Sequence, residues 1–226
     1  MRTAPFDVWQ GEGPHVGRRC WFLRLGLCNL HCSWCDTAFT WDRDRFNVTE
    51  ECPPTSYDEL TQRLPVNLPM LVLTGGEPLI HANNPVLRRL LTDWLDGAEV
   101  HVETNGTLIP PPWLKMRVDH WSVSPKVNPQ GDPAGRRLPS GPMRWWVHAT
   151  HATIKVVCAS DEDVGRAVAW SKAMELPPER LWIMPEGTTP DAVLGHAKDI
   201  ADAVHEAGAN LTLRDHVLMY GSERAR

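Results

Sequence analysis

The stretch CWFLRLGLCNLHCSWCDT, residues 20–37, places three thiols directly behind an apolar run. CWFLRLG (20–26) reads as a β-strand, so Cys28, Cys32 and Cys35 lie in a loop that leaves a strand's C-terminal end. Further short apolar runs read the same way: MLVLTG (70–75), EVHVETNG (99–106), HWSVSPK (120–126), ATIKVVCAS (152–160), RLWIMPEG (180–187) and NLTLRD (210–215). Helical patterns lie between them. Asn84 and Pro85 open one whose stripe is Leu87, Leu90, Leu91, Trp94 and Leu95, with Gly97 as its stop. Thr189 and Pro190 open another, carrying Val193, Ala197, Ile200, Ala201 and Val204 and closed by Gly208. Ser56 and Glu59 have capping-box spacing, and Val164, Ala167, Val168 and Ser171 mark a weaker helix. PKVNPQGDPAGRRLPSGP (125–142), rich in Pro and Gly, reads as a long loop.

Strands alternating with helices call for a parallel sheet with right-handed crossovers. About six parallel strands are too few for a closed eight-stranded barrel and suit an open, TIM-like partial one. Ligands then gather at the C-terminal strand ends. The unusual polar motifs fall there: Thr74-Gly75-Gly76-Glu77, Glu103-Thr104-Asn105-Gly106, Ser124-Pro125-Lys126, Met184-Pro185-Glu186-Gly187 and Arg214-Asp215-His216. That shared rim is where an active site belongs.

The thiol spacing is Cys28-x3-Cys32-x2-Cys35, with no second Cys-x2-Cys in the chain. Structural zinc takes four ligands, usually as two pairs, and His31 is poorly placed as a fourth because it adjoins Cys32. Three thiolates suit a 4Fe-4S cluster that keeps one iron open for a reactant. Cys20, Cys52 and Cys158 stand apart and read as small buried hydrophobes or surface thiols.

Bulk properties narrow the class further. The chain has 226 residues, a net charge of −5 and a pI near 6.0, which offers no basic face for nucleic acid or an anionic membrane. No signal-peptide pattern opens the sequence, and no apolar run approaches the roughly 20 residues of a membrane span. The expectation is a single cytoplasmic domain over 1–226.

The cysteine spacing, with aromatic Trp34 before Cys35, resembles the signature of the radical S-adenosylmethionine superfamily. That resemblance implies a 4Fe-4S cluster on Cys28, Cys32 and Cys35 whose open iron binds S-adenosylmethionine. It implies contacts to that cofactor from Trp34, Cys35 and Asp36, from Gly76 and Glu77 of TGGEP, from Glu103 and Asn105, and from Ser124, Pro125 and Lys126. WQGEG (9–13), Arg24 and Cys35-Asp36-Thr37, with TGGEP, ETNG and SPK in order, resemble the 7-carboxy-7-deazaguanine synthase family over nearly the whole chain. Its reaction is a radical ring contraction of 6-carboxy-5,6,7,8-tetrahydropterin to 7-carboxy-7-deazaguanine with loss of ammonia. By that resemblance Gln10, Gly11, Glu12, Arg24, Thr74 and His216 meet the pterin and Thr37 ligates magnesium. Residue chemistry agrees: an acceptor-only carboxylate suits a pterin's donor edge, and a guanidinium suits a carboxylate. The resemblance also implies a homodimer and a flavodoxin-like electron donor. Many family members carry Gln-Thr-His-Lys where this chain has Arg214-Asp215-His216-Val217, and its tail MYGSERAR (219–226) is longer and more charged. Two rivals stay open from the residues alone: a glycyl-radical-activating enzyme and a zinc-binding interaction module.

Overall fold

A computed structural model of the chain describes residues 5–95, 97–221 and 223. Eight strands form one sheet in sequence order: β1 Phe6–Trp9, β2 Arg19–Leu25, β3 Met70–Gly75, β4 Glu99–Thr104, β5 His120–Val123, β6 Ala152–Cys158, β7 Leu181–Pro185 and β8 Asn210–Leu211. Strands β2 to β8 pair parallel, and β1 is antiparallel on β2. The expected parallel partial barrel is present: β2 to β8 fall on the seven runs read as strands, and β1 is an added antiparallel edge.

The connecting helices are α1 Val48–Glu51, α2 Tyr57–Thr61, α3 Pro85–Arg89, α4 Pro112–Arg117, α5 Ala134–Arg137, α6 Ser140–His148, α7 Asp161–Ala173, α8 Pro190–Glu206 and α9 Asp215–Tyr220. The sequence cues for starts and stops hold. Ser56 and Glu59 form a reciprocal capping box, Asn84 and Thr189 cap their helices, and Gly97 and Gly208 adopt positive φ. Beyond α3, Leu90–Trp94 continues as a π-turn. Its last carbonyls are satisfied by Arg117, whose guanidinium donates to Leu91 O (2.7 Å), Leu95 O (2.5 Å) and Ala98 O (2.8 Å).

The 125–142 segment departs from its reading as a loop. Its second half is helical, in α5 and the start of α6. Pro139 is the N-cap of α6 and Pro142 lies in its first turn, where a missing N–H costs no helical bond.

Alternation assigns each strand residue to a face. Leu71, Leu73, Val100, Val102, Trp121, Val123, Ile154, Val156 and Ile183 pack outward against Leu60, Leu87, Leu91, Leu114, Trp146 and Ile200 of the helical layer. On the inner face only Phe6, Val8, Cys20, Phe22, Met70 and Val72 form an apolar patch. The rest of that face is mostly polar, with Val157 and Met184 among the apolar exceptions. The loop after β1 reaches across to the far edge of the sheet: Asp215 N–H donates to Gly11 O (3.0 Å) and Gly13 N–H to Thr212 Oγ1 (2.7 Å). Those bonds draw the open sheet into a curve and put QGEG inside it. Among the described residues no helix is long and apolar enough to cross a membrane.

Candidate active site

The cysteine loop rests on a glycine pair. Gly76 N–H donates to Leu25 O (2.9 Å) and Glu77 N–H to Leu27 O (2.8 Å), so the loop base lies on the end of β3. A Cβ on Gly76 would stand 1.9 Å from Leu27 O, and one on Gly75, at φ +132, 2.0 Å from Leu25 O. Both obstacles are backbone and cannot rotate away. Gly76→Ala is therefore expected to displace the loop and lower iron incorporation several-fold. Gly165→Ala, with nothing within 4 Å of its Cβ, is the control and should keep wild-type iron. Iron analysis after anaerobic reconstitution checks this.

The loop's other side is gripped by the Pro/Gly-rich segment. His31 N–H donates to Asp132 Oδ2 (2.6 Å), and Ser33 donates through both N–H (3.1 Å) and Oγ (2.9 Å) to Gln130 O. His31 stacks on Trp41 at 5.0 Å between ring centroids.

Cys28, Cys32 and Cys35 line one cavity of about 940 Å³. Donors already point at two of the sulfurs: Leu30 N–H at Cys28 Sγ (3.4 Å) and Trp41 Nε1 at Cys35 Sγ (3.2 Å). Burial pushes the Cys28 thiol up to about 11 and raises that of Cys32, which the nearby Lys126 charge partly offsets. Buried thiols of this kind become thiolates when a metal supplies the compensating charge. Their spread selects the metal. Among the described residues the only His/Cys/Asp/Glu trio with ligand atoms all within 4.8 Å of one another lies elsewhere. Three sulfurs on one zinc at about 2.3 Å would be closer than that. The thiols fit a multi-iron cluster, with the N–H donors as its outer partners. Cys20 and Cys158 are buried in apolar surroundings, with thiols pushed up to about 12 by burial, and neither they nor Cys52 line the cavity.

Strand ends β3 to β5 form the wall beside the cysteines. Asn105 Nδ2 donates to Asn29 Oδ1 (2.9 Å), and Asn29 Nδ2 to Thr107 Oγ1 (2.8 Å), so ETNG holds the loop as well as facing the cavity. Lys126 Nζ donates to Ser124 Oγ (2.9 Å), both on the wall. Trp34, Asp36, Thr37 and Gly76 are there too. Thr37 precedes the 3₁₀ turn Ala38–Thr40 but does not cap it through its side chain; its Oγ1 lies 3.4 Å from Gly75 O and 3.6 Å from Cys35 Sγ.

Glu77 and Pro125, expected as cofactor contacts, do not line the cavity. Glu77 is wholly buried behind the wall. It accepts from Leu79 N (2.9 Å), Thr104 Oγ1 (2.8 Å) and Asn105 N (2.7 Å), which ties β3 to β4. Burial raises its pKa, and those donors work against the rise.

In the pterin half of the site, Gln10, Gly11, Glu12, Arg24, Thr74, Glu103 and His216 all line the same cavity. Glu103 accepts from Gln10 Nε2 (3.2 Å) and from Thr74 Oγ1 (2.7 Å). A Cβ on Gly11 would meet His216 Nδ1 at 2.4 Å, so that position must be bare for the loop to pass. Arg24 makes no hydrogen bond or ion pair among the described residues, which leaves a free guanidinium in the wall.

Two residues in this half were not assigned a role from sequence. Lys155 Nζ is paired with Glu12 Oε2, and Arg214 bridges Glu12 Oε1 (3.1 Å), Gly187 O (2.5 Å) and Asp36 Oδ2. His216 Nε2 lies 3.8 Å from Glu12 Oε1. Burial alone would raise the Glu12 pKa, but Lys155, Arg214 and His216 hold it well below the ordinary carboxylate range. The signal for Lys155 was present: a charged residue mid-strand in ATIKVVC, alternating onto the inner face. The tail's terminal carboxylate lies outside the described residues, as does the start of the chain before Pro5.

An open, mostly parallel α/β barrel with three thiols set for a multi-iron cluster defines an iron–sulfur protein of the radical S-adenosylmethionine kind, and a family model described as a 4Fe-4S single cluster domain matches residues 9–108. Curated relatives extend the likeness to the whole chain. The 7-carboxy-7-deazaguanine synthase of Pyrobaculum aerophilum is 32% identical over 221 residues, 98% of this chain and 95% of the relative. That of Hyperthermus butylicus is 35% identical over 189 residues, 80% of this chain and 74% of its own. The fold is shared with the crystal structure of QueE from Escherichia coli, at a TM-score of 0.62 and 24% identity, covering 95% and 93% of the two chains. The chain belongs to the 7-carboxy-7-deazaguanine synthase family.

Proposed function

We propose that this protein converts 6-carboxy-5,6,7,8-tetrahydropterin to 7-carboxy-7-deazaguanine with release of ammonia, a radical lyase step of queuosine-type 7-deazapurine biosynthesis. The carrying observation is that the thiol loop and the QGEG loop line one cavity, with Arg214 bonded to Glu12 of one and Asp36 of the other. When bound, the cluster and S-adenosylmethionine supply a carbon radical that takes hydrogen from pterin carbon 6.

The chain's own residues position the two reactants. Trp34, Asp36, Gly76, Glu103, Asn105, Ser124 and Lys126 hold the methionyl and ribose groups. Gln10, Glu12, Thr74 and His216 take the polar edge of the pterin. A carboxylate has about four acceptor sites, so Glu12 keeps capacity for a pterin N–H beside Lys155 and Arg214. Gly11 lets the loop lie close. Arg24 supports this reading through its unpaired guanidinium, the fork a 6-carboxylate requires. Thr37 Oγ1, free of capping duty, ligates magnesium together with that carboxylate. The electron donor is flavodoxin-like, and the chain works as one radical S-adenosylmethionine domain over 1–226, as a cytoplasmic homodimer; these statements rest on the family resemblance.

Two measurements test the reading. Thr37→Ala should keep its iron and its S-adenosylmethionine binding, while pterin turnover falls about 100-fold through lost positioning. A tetrahydropterin without the 6-carboxylate should not turn over, since it offers Arg24 and magnesium nothing to hold. Full activity in Thr37→Ala, or insensitivity to magnesium removal, contradicts the magnesium assignment; turnover of the decarboxylated analogue contradicts the pterin pose.

A further inference from the structure

A second constellation sits on the same inner face, nearer the N-terminal strand ends. Glu99 and His101 alternate with Glu103 on β4, and His101 registers beside His120 on β5. Being two residues before Glu103, His101 lies about 7 Å below it along the strand. His15 comes from the turn that follows QGEG. The ring centroids are 4.4 Å (His15–His101), 4.5 Å (His15–His120) and 5.2 Å (His101–His120) apart. Ligand atoms of His15, Glu99 and His101 all fall within 4.8 Å of one another. None of these four residues lines the cavity that holds the thiols.

We propose that His15, Glu99, His101 and His120 bind a divalent transition-metal ion of the zinc class, separate from the cysteine site. Three imidazoles and one carboxylate are the donor set a tetrahedral zinc ion takes, at about 2.0–2.2 Å per ligand. Such distances bring donor atoms to about 3.3 Å from one another, so His15, Glu99 and His101 would shift slightly, and His120, its ring 4.5 Å and 5.2 Å from the other two imidazoles, would turn toward them. His101 Nε2 and Glu99 Oε1, now 2.6 Å apart, would separate slightly as both turn to the ion.

The outer partners are in place. Arg18 grips Glu99 as a fork, Nη2 to Oε2 (2.5 Å) and Nη1 to Oε1 (2.8 Å), with Nη1 also 3.3 Å from His15 Nδ1. Oε1 would exchange its Arg18 bond for the metal while Oε2 keeps its own; His120 Nε2 sits 3.2 Å from Thr153 Oγ1, leaving Nδ1. Outer hydrogen bonds of this type orient metal-ligating side chains. Arg18 brings a positive charge to the site, which Glu99 pairs, and Asp119, itself paired with Arg117 at 3.6 Å, acts on His101 from beyond. The imidazoles are neutral and ready to ligate at neutral pH: burial, with its neighbouring histidines, takes His120 down to about 3, and burial lowers His15 and His101 too. Glu99 is one-third exposed, so an ion reaches the site from solvent. Bound there, it would staple the turn carrying His15 to β4 and β5, and so hold Glu12 of QGEG, three residues upstream.

The test uses untagged, fully cluster-loaded protein dialysed anaerobically against micromolar zinc. The expected result is about one zinc per chain above the iron of the cluster, with an X-ray absorption zinc edge showing nitrogen and oxygen neighbours only. His15→Gln and Glu99→Gln, each keeping wild-type iron and circular dichroism, should bind zinc at least about 100-fold more weakly, the upper end of what even an outer-partner loss costs. Absence of the extra zinc, sulfur neighbours at its edge, or undiminished zinc in both variants would overturn the proposal.

Discussion

Serine in place of any one of Cys28, Cys32 or Cys35 is expected to take bound iron from about four per chain to near zero and to abolish turnover. The reason is geometric. The loop is seated on Gly75 and Gly76, clamped by Asp132 and Gln130, and its three thiols share one cavity wall with no further cysteine on it. Serine at Cys20, Cys52 or Cys158 leaves iron intact, because those thiols lie outside the cavity. Iron and sulfide analysis of the six variants distinguishes the two groups; loss of iron in the Cys158 variant with retention in the Cys32 variant would reverse the assignment.

Glu12→Gln should be nearly as damaging, in two separable ways. Glu12 is the ion-pair partner of buried Lys155 and one of two carboxylates on buried Arg214, which keeps Asp36, so removing its charge leaves Lys155 without a partner at a cost of about 3–5 kcal/mol. The double change Glu12→Gln with Lys155→Met removes the orphaned cation and should recover much of that stability. Activity should not return with it. A site built to hydrogen-bond a heterocycle loses about 10⁴-fold when its polar partner is missing. Denaturant midpoints report the first effect and turnover the second; recovery of both together would mean that Glu12 acts only as a structural ion pair.

The same network sets a pH dependence. Folding lowers the Glu12 pKa below its unfolded value, so the carboxylate contributes stability above the unfolded pKa and loses it as pH falls through the folded one. Acid unfolding of the wild type should therefore steepen below the ordinary carboxylate range, and the double variant should lack that component.

The sequence disclosed the inward motifs better than the parts that hold them. Strand ends, helix caps and the thiol loop were legible because Gly, Pro, Ser and Asn act locally: Ser56 caps with Glu59 whatever surrounds them. β1 was not, since FDVW is four residues long and becomes a strand only by pairing with β2. The helices inside 125–142 were hidden by prolines that proved to be a helix N-cap, Pro139, and a first-turn residue, Pro142. Glu77 was read as a contact because it adjoins Gly76, yet its side chain turns away from the cavity into bonds with Leu79, Thr104 and Asn105. Strand alternation turns Lys155 inward, but its pairing, like that of Arg214, needed the third dimension: they converge on Glu12 from positions 143 and 202 residues distant. Long-range ion pairs leave no periodic trace.

One measurement bears most directly on the central claim. Reduced, cluster-loaded protein is incubated anaerobically with S-adenosylmethionine, magnesium and 6-carboxy-5,6,7,8-tetrahydropterin, and the products are resolved by mass spectrometry. The account predicts 7-carboxy-7-deazaguanine and an equal amount of ammonia. Cleavage of S-adenosylmethionine with the pterin left untouched, in a preparation with full iron, would contradict it.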